Sequence, residues 1–136
     1  SCSSRFIFRK DIINIFKNKI FNVHGSLLPE ERSGAYTYRI FNEKYFCAST
    51  IHIVDQGIDT GPYVSQKKII VKKNSNIHLV FFRVVVAAVR DMIMIIKNKE
   101  FMKRRKYTPN IRSKLYLSKH LEELEIHDSF LKRYII

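Results

Sequence analysis

The sequence predicts an α/β fold with a mainly parallel sheet, formed by a single domain. Short apolar and β-branched runs alternate along the 136 residues with segments of helical spacing, which is typical of α/β layers. The run at residues 19–24 is continuous rather than alternating, as expected for a strand that is buried on both faces. The length suits one domain with a sizeable core, and the apolar content of 46% excludes wholesale disorder.

The first half of the chain is expected to contain two helices and one strand. Residues 10–16, KDIINIF, have the apolar spacing of a helix, and residues 19–24 are predicted as the strand. A loop follows at residues 25–32, and residues 35–41 are predicted as a second helix.

The second half is expected to contain two strands and a long helix. Residues 49–54, STIHIV, are β-branched and predict a strand, and residues 63–71 predict another. The loop between them, DQGIDTGP, is dense in turn residues. Residues 76–98 predict the long helix, with Ser75 as its candidate N-cap.

The long helix is apolar enough to raise the question of a membrane span. Its central part includes Arg83, Arg90 and Asp91, and each of these costs roughly 3 kcal/mol at the centre of a bilayer. We therefore interpret the segment as a buried helix of a soluble protein that has no membrane partner.

The two cysteines, Cys2 and Cys47, form no CxxC pair, and no His/Cys cluster has the spacing of a zinc site. They are most simply free thiols in a reducing compartment. We therefore expect a cytoplasmic protein without a bound metal.

The net charge is +13, and six basic residues with a single glutamate crowd into residues 97–106. Such a run can bind an anionic partner, such as nucleic acid, a phosphorylated metabolite or a membrane surface. It is more often a solvated face, and no recognisable nucleic-acid-binding motif accompanies it here.

Polar side chains occur where two predicted strands end. Asn22 and His24 are two residues apart, so they project from the same side of their strand. The loop after the next strand offers Asp55 and Asp59. An imidazole close to a carboxylate forms an acid/base pair in which the carboxylate favours the protonated ring, and an amide can donate to a developing oxyanion. These residues indicate acyl-type chemistry without a covalent nucleophile.

Each of these features also has a purely structural interpretation. A histidine at a strand end can be a hydrogen-bonded core residue, and Asp55 and Asp59 can cap turns. Gly57 and Gly61 can be present only because the loop requires positive φ angles.

The stretches NVHGSLLPEERSG and STIHIVDQGIDTGP resemble the formyltransferases that use 10-formyltetrahydrofolate. That family includes methionyl-tRNA formyltransferase, glycinamide ribonucleotide formyltransferase, the sugar N-formyltransferases and formyltetrahydrofolate deformylase. Two separated motifs in the right order make the resemblance specific. The matching positions are Asn22, His24, Ser26, Leu27, Leu28 and Pro29, followed by Asp59, Thr60 and Gly61.

The resemblance implies that Asn22, His24 and Asp59 form a catalytic trio. A substrate amine would attack the formyl carbon while Asn22 and protonated His24 hold the oxyanion, and Asp59 would keep the ring charged and help to move protons. Ser26 and Arg32 would contact the substrate. The folate would be bound by two further segments, whose residues are Phe6, Ile7, Phe8, Asp55, Gln56, Gly57 and Ile58.

The resemblance also implies the domain organisation. Residues 1–106 would be the carboxyl-terminal part of a Rossmann-like formyltransferase domain that lacks its first strands, and residues 107–136 a tail or the start of a further domain. Residues 118–135 are predicted to contain one or two helices. We expect either a fragment of a longer protein or a truncated product.

The sequence indicates the family more clearly than it indicates which amine would accept the formyl group. The tail resembles the region that follows the catalytic domain in sugar N-formyltransferases, which favours an amino-sugar nucleotide as the small-molecule amine. A methionyl-tRNA acceptor, a deformylase that uses water, and an inactive folate- or nucleic-acid-binding domain remain as alternatives. The sequence leaves the oligomeric state open.

Overall fold

The computed structural model describes residues 7–16, 19–33, 46–70, 76–98 and 114–116. These residues form two helices and five strands, which confirms the α/β class. In chain order the elements are α1 (Lys10–Phe16), β1 (Phe21–His24), β2 (Glu31–Ser33), β3 (Phe46–Ile53), β4 (Tyr63–Ile70), α2 (Ile77–Lys97) and β5 (Lys114–Tyr116).

The larger sheet has three strands in the order β1-β3-β4, and both of its strand pairs are antiparallel. The mainly parallel arrangement is therefore wrong for this sheet. The loop of residues 54–62 is too short to carry a parallel crossover, which needs a dozen or more residues. In the described part of the chain, the parallel pair is β2 with β5, in a separate two-stranded sheet.

The register between β1 and β3 places polar residues opposite one another. Asn22 pairs with His52, and His24 pairs with Thr50. Directly opposed residues and their alternate neighbours share one face of a sheet, so all four side chains lie on the same side. The pairing of β3 with β4 shifts register between Ile51 and His52, an irregularity of the kind that often occurs beside functional sites.

Helix α2 packs on β3 and β4 through one face. The buried residues of this face recur every three or four positions, as helical geometry requires: Val80, Val84, Ala88, Asp91 and Ile95. Ile95 joins Ile51, Ile53 and Val64 in a core cluster between the helix and the sheet.

The rest of the α2 surface is largely apolar and open. Its exposed large apolar side chains are Leu79, Phe81, Phe82, Val89, Ile93, Met94 and Ile96, with exposed fractions between 45% and 72%, and the exposed Arg83 and Arg90 lie among them. The helix is therefore half-buried, whereas the sequence predicted a buried one. Among the described residues, no helix has the length and apolarity that crossing a membrane requires.

The structure tests several predicted boundaries. The bounds of α1 agree with the prediction, and those of α2 differ by one residue at each end. The N-cap of α2 is Asn76, whose Oδ1 accepts hydrogen bonds from the amides of His78 (2.8 Å) and Leu79 (3.3 Å). The predicted helices at residues 35–41 and 118–135 lie outside the described residues, and strands β2 and β5 were not predicted.

Candidate active site

Asp59 joins the polar face of β1 and β3 from the loop after β3. Its Oδ2 lies 3.5 Å from Nδ1 of His24, and its Oδ1 lies 3.3 Å from Nε2 of His52. The two imidazole rings are edge to face, with their centroids 6.4 Å apart. One carboxylate therefore lies between two buried histidines.

The conformation of Asp59 depends on its own backbone and on β2. Its φ angle of 52° is in the left-handed region, which aspartate tolerates better than most residues. Its Oδ2 accepts a hydrogen bond of 2.8 Å from the backbone amide of Ser33. Burial alone would raise the pKa of Asp59, but the hydrogen bond from His52, the His24 ring and the Ser33 amide together lower it from 3.8 to about 2. Asp59 is therefore a carboxylate at neutral pH.

His24 is enclosed, because both of its ring nitrogens contact protein groups. Its Nε2 lies 2.7 Å from the backbone carbonyl of Glu31, and a carbonyl can only accept, so this nitrogen carries a proton. Burial is the largest influence and lowers the pKa of His24 below its usual 6.5, although Asp59 and the Glu31 carbonyl act in the opposite direction. Asp59 and burial therefore act on this ring in opposite directions, and burial has the larger influence on its pKa in this structure; the charge of the ring during catalysis stays a prediction.

Asn22 reaches this cluster through His52. Its Nδ2 lies 3.2 Å from Nε2 of His52, and its Oδ1 is buried with no hydrogen-bond partner in the described part of the chain. The structure therefore brings Asn22, His24 and Asp59 to one face. It also adds His52, which lies on β3 directly opposite Asn22.

The sequence did not predict that His52 contacts Asn22 and Asp59, or that the Glu31 carbonyl contacts His24. The alternation in STIHIV puts Thr50 and His52 on one face, which was a usable signal. The antiparallel pairing that sets His52 opposite Asn22 was not predicted. The Glu31 contact is made by a backbone carbonyl, so its side-chain identity carries no signal.

The loop after β3 is held by short contacts. Asp55 Oδ1 accepts hydrogen bonds from the Gly57 amide (3.1 Å) and from Thr60 Oγ1 (2.5 Å). A Cβ atom on Gly61 would lie 1.8 Å from the carbonyl oxygen of Ile53, and one on Gly57 would lie 2.1 Å from Thr60 Oγ1. Neither glycine has a positive φ angle, so close approach rather than backbone conformation requires them.

The predicted folate-binding residues are only partly within the described chain. Phe6 lies outside it, Ile7 is exposed and Phe8 is half-buried. In the second segment, Asp55 is half-buried, while Gln56, Gly57 and Ile58 are exposed. These open apolar and backbone groups can contact a flat ring, and their role stays a prediction.

The predicted substrate contacts differ in accessibility. Ser26 is fully buried, and its backbone carbonyl accepts a 2.6 Å hydrogen bond from Thr50 Oγ1. Gln66 donates to the Leu28 carbonyl (2.8 Å) and contacts Thr50 Oγ1 at 3.2 Å, which fixes the same loop against β3. Arg32 is half-buried on β2. The substrate roles of Ser26 and Arg32 stay predictions, and in this structure Ser26 holds the loop.

The site contains the groups that carbonyl chemistry needs. It has an ionised carboxylate, a histidine whose pKa favours the neutral ring, and an amide with one unused polar atom. A neutral imidazole can accept a proton, and an amide N–H can stabilise negative charge on an oxygen. In this arrangement Nε2 of His24 reaches an external group only after the Glu31 carbonyl has moved.

Comparison with known proteins identifies relatives of this chain. Residues 4–96, more than half of the chain, match a family described as "Formyl transferase". The methionyl-tRNA formyltransferase of Thermodesulfovibrio yellowstonii is 37% identical over 71 residues, which are 52% of this chain and 23% of that protein. The Finegoldia magna enzyme of the same name is 39% identical over 64 residues, which are 46% of this chain and 21% of that protein. The match therefore spans less than a quarter of these relatives.

Solved structures share the fold. The formyltransferase PseJ from Anoxybacillus kamchatkensis, in complex with a UDP-linked formamido sugar and tetrahydrofolate, superposes with a TM-score of 0.77 at 22% identity. That match covers 96% of this chain and 70% of PseJ. The sugar 3N-formyl transferase WlaRD gives a TM-score of 0.73 at 24% identity, over 88% of this chain and 44% of its own. Since the family match covers more than half of the sequence, this chain belongs to the formyl transferase family.

Proposed function

We propose that this chain carries the catalytic part of an enzyme that transfers a formyl group from 10-formyltetrahydrofolate to a substrate amine in the cytoplasm. The observation that carries the proposal is the meeting of Asn22, His24 and Asp59 on one face. The folate would supply the electrophilic formyl carbon. The amine becomes a formamide, and the folate nitrogen that loses the formyl group takes a proton.

The three residues have distinct tasks in this proposal. Asn22 donates an amide hydrogen bond to the carbonyl oxygen that gains charge. His24, whose pKa is lowered by burial, is neutral and can accept the proton that the attacking amine loses. Asp59 remains ionised and fixes the ring through Nδ1. Before transfer, the loop between β1 and β2 must release Nε2 of His24 from the Glu31 carbonyl. The single proton of the neutral ring then lies on Nδ1, where it is donated to Asp59, and Nε2 is free to accept the proton from the amine.

The residues present fit a folate in one respect. Ile7 and Ile58 leave 73% and 39% of their surface exposed, and such side chains can pack against the faces of a flat heteroaromatic ring. The solved relatives supply independent support, because PseJ is described with tetrahydrofolate and WlaRD with 5-N-formyl-THF.

Two acceptors have support from different comparisons. The likeness of the fold to PseJ and WlaRD supports an amino-sugar nucleotide, which agrees with the prediction from the tail. The higher sequence identity, 37–39%, is to methionyl-tRNA formyltransferases and supports an aminoacyl-tRNA. The charge of +13 suits either anion.

The test is formyl transfer by the full 136-residue chain, with a dTDP- or UDP-linked amino sugar in one assay and methionyl-tRNA in the other. We expect formylated product from one acceptor, and a loss of about 100-fold or more in kcat for Asn22→Ala, since one oxyanion donor is removed. His24→Asn should lose activity as well. His78→Asn is the matched control, because His78 is an exposed histidine on α2.

Three outcomes would contradict the proposal. An unchanged rate in His24→Asn would remove the histidine from the chemistry. Formate release without any acceptor would indicate a hydrolase of the deformylase type. RNA binding that weakens with salt, combined with no affinity for a non-reactive folate analogue in calorimetry, would indicate an inactive binding domain.

A further inference from the structure

We propose that Ser33 is a positioning residue whose backbone amide, at the end of β2, holds Oδ2 of Asp59 opposite Nδ1 of His24. The catalytic consequence of this inference rests on the proposed function. Its structural content, a coupling between position 33 and Asp59, can be measured without turnover.

One oxygen of Asp59 is shared between Ser33 and His24. Its Oδ2 accepts a hydrogen bond of 2.8 Å from the Ser33 amide and lies 3.5 Å from Nδ1 of His24. The ring contact is favourable only when Nδ1 carries a proton, whereas a backbone amide always carries one. The Ser33 amide is therefore the partner that holds this oxygen in place in every protonation state of the ring.

The Ser33 contact also fixes the plane of the carboxylate. The other oxygen, Oδ1, lies 3.3 Å from Nε2 of His52, and the Asp59 side chain is only 15% exposed. Hydrogen bonds from an N–H to a carboxylate are among the stronger ones in proteins, so a rotation that broke the Ser33 contact would be costly at this depth. Asp59 is therefore held with one oxygen toward each histidine.

The backbone at both ends of this hydrogen bond is in an unusual conformation. Among the described residues, Ser33 and Asp59 are the two non-glycine residues with a positive φ angle, 64° and 52°. They are 26 residues apart in the sequence and meet in this contact. Such conformations cost free energy and persist only where the surrounding structure holds them, often at functional sites. The Ser33–Asp59 hydrogen bond is a contact that holds both.

Substitutions at position 33 can separate the amide from the side chain. Ser33 reaches Asp59 through its backbone, so Ser33→Gly keeps the donor and accepts a φ of 64° without strain. Ser33→Pro removes the donor and fixes φ at about −65°. The contact should therefore be lost in the proline variant and kept in the glycine variant.

The first test is a double-mutant cycle on the free energy of unfolding of the full 136-residue chain. We expect Ser33→Pro to destabilise an Asp59→Ala background clearly less than it destabilises the parent, because the acceptor is already absent there. The backbone distortion that proline causes is common to both backgrounds and cancels. Ser33→Gly is the matched control and should have the same effect in both. Equal losses for Ser33→Pro in the two backgrounds would overturn the proposal.

Proton NMR tests the same contact if the proline variant does not fold. We expect the Ser33 amide proton of the parent to resonate downfield and to exchange slowly with solvent, and both properties to be lost in Asp59→Ala. A Ser33 amide that is unchanged in Asp59→Ala would overturn the proposal.

The kinetic test separates alignment from binding. We expect Ser33→Pro to lower kcat by about 100-fold with little change in KM, because a displaced Asp59 no longer aligns His24. Ser33→Gly should restore most of that loss, since it keeps the amide. A loss in Ser33→Gly as large as that in Ser33→Pro would overturn the role of the amide. A parent chain that transfers no formyl group would contradict the proposed function, while the unfolding cycle would still decide whether Ser33 holds Asp59.

Discussion

Gly61 lies directly against the end of β3, and this contact determines how the Asp59 loop returns to the sheet. Its missing side chain leaves room for the Ile53 carbonyl, which would be 1.8 Å from a Cβ atom. The amide of Ile53 in turn donates to the carbonyl of Pro62 at 2.9 Å. The glycine therefore allows the chain to close a tight loop two residues after the carboxylate of the site.

We expect Gly61→Ala to lower the free energy of unfolding by roughly 3 kcal/mol, because the atom it meets belongs to the backbone and cannot rotate away. Urea unfolding measures the loss. Gly57→Ala is the comparison and should cost less, since its Cβ would meet the side chain of Thr60, which can rotate by giving up its hydrogen bond to Asp55, rather than backbone. Equal losses in the two variants would contradict the explanation from backbone contact.

His24 connects the site to the pH dependence of folding. Its pKa is lowered by burial, so the folded state binds this proton less readily than the unfolded chain, where the pKa is 6.5. The contribution of His24 to stability therefore falls as the pH drops below 6.5 and is restored as the pH rises through that value. The titratable groups that act on it are Asp59, His52 and Glu31.

We expect the difference in unfolding free energy between the parent and His24→Asn to change with pH between about 5 and 7.5. The parent should lose stability relative to the variant on acidification, because only the parent must exclude this proton. Urea unfolding at several pH values measures the difference. A difference that stays constant, or one that changes in the same way for the exposed control His78→Asn, would contradict the assignment.

At the scale of secondary structure, α2 is fixed to β4 by a buried carboxylate. Asp91 is 6% exposed, and its Oδ2 accepts a 2.6 Å hydrogen bond from Ser65 while its Oδ1 pairs with the ammonium of Lys67. A charge inside a helix–sheet interface is stable only when its partners are present. This residue, which in the sequence argued against a membrane span, links the helix to the sheet.

We expect Asp91→Ala to lower the free energy of unfolding by about 1–3 kcal/mol, since the half-buried Ser65 hydroxyl and the Lys67 ammonium lose their acceptor. Chemical denaturation followed by circular dichroism measures it. Asp11→Ala is the matched control, because Asp11 forms an exposed ion pair with Arg9 and should cost under about 1 kcal/mol. A loss for Asp91→Ala no larger than that of the control would contradict a role in joining the two elements.

At the scale of the whole molecule, the sequence pattern predicted every described element except the two shortest strands. The apolar spacing of α1 and α2 and the β-branched run of β3 have strong local patterns. Strands β2 and β5 are only three residues each, ERS and KLY, which is too short to show any period. Their pairing is a tertiary contact between distant segments, so local propensity did not reveal it.

In the candidate site, too, the sequence predicted what depends on local pattern and missed what depends on tertiary contacts. Asn22, His24 and Asp59 could be found from their motif and spacing, because each lies at or after a predicted strand. The contact of His52 with both Asn22 and Asp59 depends on strand direction and register, which the sequence did not provide. The sequence indicated the influence of Asp59 on His24 but not the depth of burial, which is the largest influence on the pKa of this ring and lowers it.

The register between β1 and β3 determines whether the candidate active site assembles during folding. A slip of one position along either strand would send that strand's reactive side chains to the opposite surface of the sheet. A slip of one position would therefore separate the side chains of β1 from those of β3. The side chains of the candidate site come together on one face only when β1 and β3 pair in the correct register.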